Sequence, residues 1–272
     1  MTTKTPNFNE SLSLQQFRSS VDFLQTHMPL IDASLVNSIR TLKNYDEKSD
    51  HLTAGLNVKP SKYNRLNHPV KQYPQIFRHT QKKNVEFAIN KLFTFFTDYM
   101  KNITKEMYTK KPFFIIQKAV VNKKDEDKEN LQMTFAEILR LGSREHIHEE
   151  MVNRVFRSIE ELRSTTKLLD RILNDTKINI SKDMKRDALM YLEMRHLFIH
   201  NNGKADNKFA TTYGKYFNPE VKANNLLPRK FETFNKALDK ISKLVIHIDL
   251  ELIRTEFLEE RKFKINTMPN KK

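Results

Sequence analysis

The chain has 272 residues, a net charge of +15, 4 Gly, 9 Pro and no Cys. Lack of cysteine excludes a disulfide framework, a thiolate zinc site and a cysteine nucleophile. So few glycines argue against sandwiches, barrels and Rossmann-type loops, and neither GxGxxG nor GxxxxGK[ST] occurs.

Residues 1–10 read as a tail. Residues 12–43 read as a helix with Phe17, Val21, Leu24, Leu30, Leu35 and Ile39 as core positions, broken or kinked at Pro29. Residues 44–74, with Pro60, Pro69 and Pro74, read as a long loop, functional or mobile. A long helix over 75–109 carries Val85, Ile89, Leu92, Phe96, Tyr99, Ile103 and Met107 at near-heptad spacing. Phe113–Val121 fits a strand or a helix equally, and the wholly polar Asn122–Asn130 marks a boundary between a basic helical region, 1–124, and a second helical domain, 125–272. There, Leu131–Leu141 is a short helix stopped by Gly142, and Ser143 caps a helix to about Asp175. A third helix covers Lys182–His200, Tyr213–Phe217 forms a small extended piece, and a last helix runs over Arg229–Arg261 before a basic tail, 264–272. The expected fold is an all-α helical bundle preceded by a further helical region.

Charge is concentrated rather than spread. Residues 58–124 hold 15 Lys/Arg against 3 Asp/Glu, a net +12, together with eleven aromatic residues. Lysines there, Lys82, Lys83, Lys110 and Lys111 among them, suit phosphates, and exposed rings suit bases. Most of these rings are expected in the core all the same, because buried aromatics dominate packing. RNA is the expected partner, although a lysine-rich solvated surface accounts for the same charge. No apolar run approaches 18 residues and no signal pattern opens the chain, so no membrane partner and a cytoplasmic location are expected.

The chemistry concentrates at Arg195-His196-Leu-Phe-Ile-His200-Asn201-Asn202-Gly203, where a helical run stops. His196 and His200, four apart, share a helix face. Arg195 offers a permanent planar cation that suits a phosphate, and His200 trades a proton near neutral pH. One cation with proton carriers can cleave RNA through its own 2′-hydroxyl without a metal or cofactor. A second reading makes the histidines simple C-terminal caps bonding the last carbonyls. Zinc is disfavoured: Leu197 stands where the helical HExxH motif needs Glu, no third ligand is near, and His146-x-His148 has the wrong spacing for one helix face.

Arg195-His196-x3-His200-Asn201-Asn202-Gly203, together with Phe135–Ser143 and the helix to 175, resembles the HEPN superfamily over about residues 125–260. The resemblance implies a helical-bundle homodimer with metal-independent endoribonuclease activity and 2′,3′-cyclic phosphate products. It implies a place in toxin–antitoxin, antiviral abortive-infection or RNA-processing systems, with an antitoxin or inhibitor protein as a further partner. On it, Arg195 binds and polarises the phosphate, His200 is the main acid/base, and His196 is the motif's polar second residue. Asn201 joins the four lysines in substrate binding. Some members of the family are inactive, so the alternative is a non-catalytic helical module that binds RNA or a protein.

Overall fold

Long apolar stripes free of glycine make long helices. In the computed structural model, which describes residues 7–43, 51–66, 68–111, 133–160 and 165–264, α1 spans Leu12–Lys43, α2 Leu52–Gly55 and α3 Tyr73–Lys110. Beyond them lie α4 (Phe135–Leu141), α5 (Arg144–Glu160), α6 (Thr165–Thr176), α7 (Lys182–His200), α8 (Asn207–Tyr213) and α9 (Phe231–Arg254). The fold is all-α, with one short antiparallel ribbon among the described residues, β1 (Asn7–Glu10) on β2 (Arg261–Lys264). No described helix is long and apolar enough to cross a membrane.

The chain forms two compact units, each assembled from distant segments. One takes Met1–Ser19, Thr94–Leu189 and Lys240–Lys272; the other takes Ser20–Phe93 and Met190–Asp239. The polar stretch 122–130, which the sequence marks as a boundary, lies outside the described residues, as does Phe113–Val121.

In the first unit the seams of α3 and α9 supply the core: Phe96, Tyr99, Ile103 and Met107 from α3, and Ile241, Val245, Ile248 and Leu252 from α9, are all buried. Asp249 is buried among them and anchors the start of α1. It accepts from the Ser11 N–H at 3.0 Å, from the Ser11 hydroxyl and from the Tyr99 hydroxyl at 3.3 Å. Burial raises the Asp249 carboxyl above its ordinary value, and burial together with Asp249 raises the Tyr99 phenol.

At the edge of this unit, Thr134 caps α4. Its hydroxyl accepts from the Glu137 N–H at 3.2 Å, and the Glu137 carboxylate accepts from the Thr134 N–H at 2.7 Å. The Thr134 N–H and the Arg154 guanidinium hold the Glu137 carboxyl down to about 2. A carboxyl lowered on folding stabilises the structure above its unfolded pKa and loses that contribution as pH falls. Amide protection factors over α4, taken against the intrinsic exchange rate at each pH, are therefore expected to fall between pH 4.5 and about 2, and Glu137→Gln should remove that fall. A profile unchanged by the substitution would mean that this box does not hold the helix.

In the second unit α1 and α3 run side by side. Met28 and Leu24 on α1 are buried, as are Phe77, Val85, Ile89 and Leu92 on α3. The stretch 51–74 is more ordered than a loop. Leu52 and Val70 are buried against Leu42 and Phe77, a bridge pairs His51 with Pro69, and α2 and two 3₁₀ turns fill the interval. Three prolines obscure this order in the sequence, because the few apolar residues that anchor it are far apart.

Other expectations need correction. The helix α1 passes through Pro29 without a break: packing of Leu24 and Met28 holds it, and Leu30, expected inside, is 64% exposed. Tyr213–Phe217 is not extended: α8 ends at Tyr213 and a 3₁₀ turn covers Gly214–Tyr216, with Asp206 capping α8 through the Phe209 N–H. The last helix stops at Arg254, and residues 7–10 and 261–264, expected as a tail and as helix end and tail, pair as strands. Such pairing is non-local and leaves no periodic signal in either segment.

Candidate functional site

The motif helix ends where the sequence says it does, at His200. The motif and the groups packed around it belong to the second unit. Met190, Leu192, Met194, Leu197 and Phe198 are buried and fix the rotation of α7. That leaves Arg195 half-buried and His196, Ile199 and His200 exposed on one face. The two imidazoles lie 4.7 Å apart, centroid to centroid.

Backbone groups build the stop. Asn202 (φ +50°) and Gly203 (φ +72°) take left-handed conformations, tolerated by Asn and natural for Gly. The Asn201 and Gly203 N–H groups both donate to the Leu197 carbonyl, at 3.0 and 2.8 Å. The Asn201 amide donates to the Lys204 carbonyl at 2.8 Å, so its side chain is engaged in the turn. Arg229 then clamps the turn, its Nη2 donating to the Asn202 carbonyl at 2.6 Å. A Cβ on Gly203 would lie 1.9 Å from that Nη2, so any side chain there would displace the Arg229 guanidinium, and φ itself favours glycine. Among the described residues, neither His196 nor His200 makes a hydrogen bond that would cap the helix.

Arg229 is itself held. Its Nε pairs with Glu86 on α3 at 2.9 Å, and its guanidinium lies 5.7 Å from the Phe198 ring centre. Glu86, itself buried, also receives Lys83 at 2.7 Å. Arg195 lies over the ring of Phe93, two turns along the same helix from Glu86, with its Cζ 4.8 Å from the ring centre. No carboxylate pairs with Arg195 among the described residues. Glu86, Phe93 and Arg229 are not legible as site residues in the sequence, because each comes from a segment far from the motif.

The expected lysines divide. Lys82 is exposed and borders a cleft of about 430 Å³ that Arg78, Arg229 and Lys230 also line, whereas Lys83 is committed to Glu86. Lys110 donates to the Leu258 carbonyl at 2.7 Å. Lys111 reaches the Thr255 carbonyl at 3.4 Å and sits 4.4 Å over the Phe257 ring centre. Both belong to the first unit and serve its packing. His146 and His148 turn to the backbone carbonyls of Leu141 and Tyr108. No group of three His, Cys, Asp or Glu side chains that could hold a metal ion occurs among the described residues.

No family model, no curated protein and no solved structure matches this chain.

Proposed function

We propose that the chain is a metal-independent endoribonuclease of the HEPN type. One observation carries the reading: two exposed imidazoles 4.7 Å apart, with no role in ending their helix, stand beside an arginine that has no carboxylate partner among the described residues. Ending a helix does not need that combination; phosphate chemistry does. Arg195 holds the non-bridging phosphate oxygens, stabilising the charge that builds as the 2′-oxygen attacks phosphorus. His200 exchanges protons with the reacting oxygens, and His196 orients or assists it. The 2′-O–P bond forms as the P–O5′ bond breaks; a base accepts the 2′-hydroxyl proton and an acid donates one to the departing 5′-oxygen. The products are a 2′,3′-cyclic phosphate and a 5′-hydroxyl. A toxin–antitoxin or anti-phage abortive-infection setting, with an inhibitor protein as partner, fits such an activity.

The site is most effective as a pair. Ile199, 46% exposed, lies on the same face as both histidines, and an apolar residue on a catalytic face suits a two-fold interface that brings two sets together. The near-heptad seam of α3 does not serve this purpose, because its residues are buried within the chain. Ile199→Glu is therefore expected to convert a dimer to a monomer in light scattering and to abolish cleavage, with the helical circular dichroism spectrum unchanged. A variant still dimeric and fully active would remove this face from the mechanism.

RNA affinity is expected to depend on the basic segment. Lys59, Lys62, Lys71 and Lys82 are exposed. Reversing all four to Glu should weaken binding to every RNA sequence and flatten the salt dependence, by roughly 0.7 in log K per log salt for each phosphate no longer neutralised. An unchanged slope would assign this charge to a solvated surface.

A further inference from the structure

Where α1 and α3 run side by side in the second unit, the exposed Phe23, Phe87 and Lys91 and the half-buried His27 form an aromatic and basic cluster. Phe23 and His27 on α1 stack at 5.1 Å with 18° between their planes, and His27 lies 6.4 Å from Phe87 on α3. Lys91, one turn beyond Phe87, holds its Nζ 5.8 Å from that ring centre. Phe23 is 58% exposed and Phe87 41%, in a protein that buries Phe77, Phe96 and Phe234. Rings left in water beside a lysine of the segment that carries a net +12 do not contribute to a core.

We infer that Phe23, His27, Phe87 and Lys91 form a stacking platform for the unpaired bases of single-stranded RNA. An exposed ring offers its face to any base, and the neighbouring ammonium takes the phosphate that follows. Bases within a duplex are stacked on each other and offer no free face, so the platform selects single strands and loops. Phe87 precedes Phe93, which supports Arg195, by six residues, about 9 Å along α3 and about 120° around it at about 3.6 residues per turn. The inference rests on the proposed RNA substrate and names the form of RNA the site takes.

Binding is best read without cleavage, in a His200→Ala background, by fluorescence anisotropy. The probes are a labelled single strand of about 12 nucleotides, within the usual site sizes of about 4–16, and the same sequence as a duplex. Phe23→Ala and Phe87→Ala are each expected to weaken single-strand binding by roughly 5- to 100-fold, leave duplex binding alone, and leave the salt slope unchanged because no charge is removed. Lys91→Ala should instead flatten the slope by about 0.7. Both phenylalanines are exposed, so the variants should melt with the parent. If the parent binds RNA and the double phenylalanine variant binds it equally well, the platform is wrong while the RNA reading stands. If that variant keeps its RNA affinity but loses self-association in sedimentation, the cluster is a protein interface and the inference is overturned. If the parent binds no RNA at all, the functional reading fails first and the platform with it.

Discussion

Replacing His200 by Ala is expected to lower RNA cleavage by about 10²- to 10⁴-fold, the usual effect of losing one acid/base group, while the fold and RNA affinity stay close to wild type. The ring is exposed, and the helix ends on backbone groups of Asn201 and Gly203 and on Arg229, so its removal opens no cavity and unties no cap. Proton transfer acts in the transition state, so binding is spared. Arg195→Ala should abolish cleavage and also weaken binding, because a phosphate clamp acts in both states, and it should expose the face of Phe93. Arg195→Lys keeps the charge but loses the planar fork and is expected to restore binding more than rate. Single-turnover rates and anisotropy on the same variants separate these effects. Wild-type cleavage by His200→Ala would move the activity elsewhere or leave the chain as a binding module.

The largest loss of stability is expected from Glu86→Ala. Glu86 is buried and pairs with Arg229 at 2.9 Å and Lys83 at 2.7 Å. Removing one partner of a buried pair leaves the other charge uncompensated and costs about 3–5 kcal/mol. For a chain of this size the melting temperature should fall by roughly 6–20 °C. Replacing the pair together, Glu86→Leu with Arg229→Met, should recover most of that stability, since apolar side chains of similar size often substitute well for a buried ion pair. The double variant still lacks the clamp on the Asn202 carbonyl. Its cleavage rate should therefore stay low although its melt recovers, which distinguishes positioning of the turn from simple stability. A double variant as unstable as Glu86→Ala would mean that packing around Glu86, not the charge pair, is what matters.

Local signals are the legible ones. The end of α7 at His200 is written in its own residues, a helical run followed by two asparagines and a glycine, and the seams of α3 and α9 follow a period that needs no tertiary information. Thr134 with Glu137 three residues on is a capping box just as local; it starts α4 at Phe135, later than the Leu131 expected from the apolar pattern. Features that depend on distant partners are hidden. Pro29 stays within α1, directly after the buried Leu24 and Met28, and β1 finds β2 more than 250 residues away. The site divides in the same way. Arg195, His196 and His200 come from one end of one helix. Phe93 beneath Arg195, and the Glu86–Arg229 pair that holds the turn, are joined only by the fold. The motif makes Asn201 a candidate for substrate binding, and one of its amide N–H groups goes to the Lys204 carbonyl; Lys110 and Lys111 go to carbonyls in the other unit. Composition shows that lysines are abundant, but only the fold shows which of them remain available.

Total RNA incubated with the purified chain in EDTA, followed by mapping of the product ends, decides between a nuclease and a binding module. Cleavage undiminished by EDTA is expected, with fragments ending in a 2′,3′-cyclic phosphate and a 5′-hydroxyl, and no such fragments from His200→Ala in parallel. Intact RNA from the wild-type protein, or fragments with a 5′-phosphate and a free 3′-hydroxyl, would contradict a metal-independent attack by the 2′-hydroxyl.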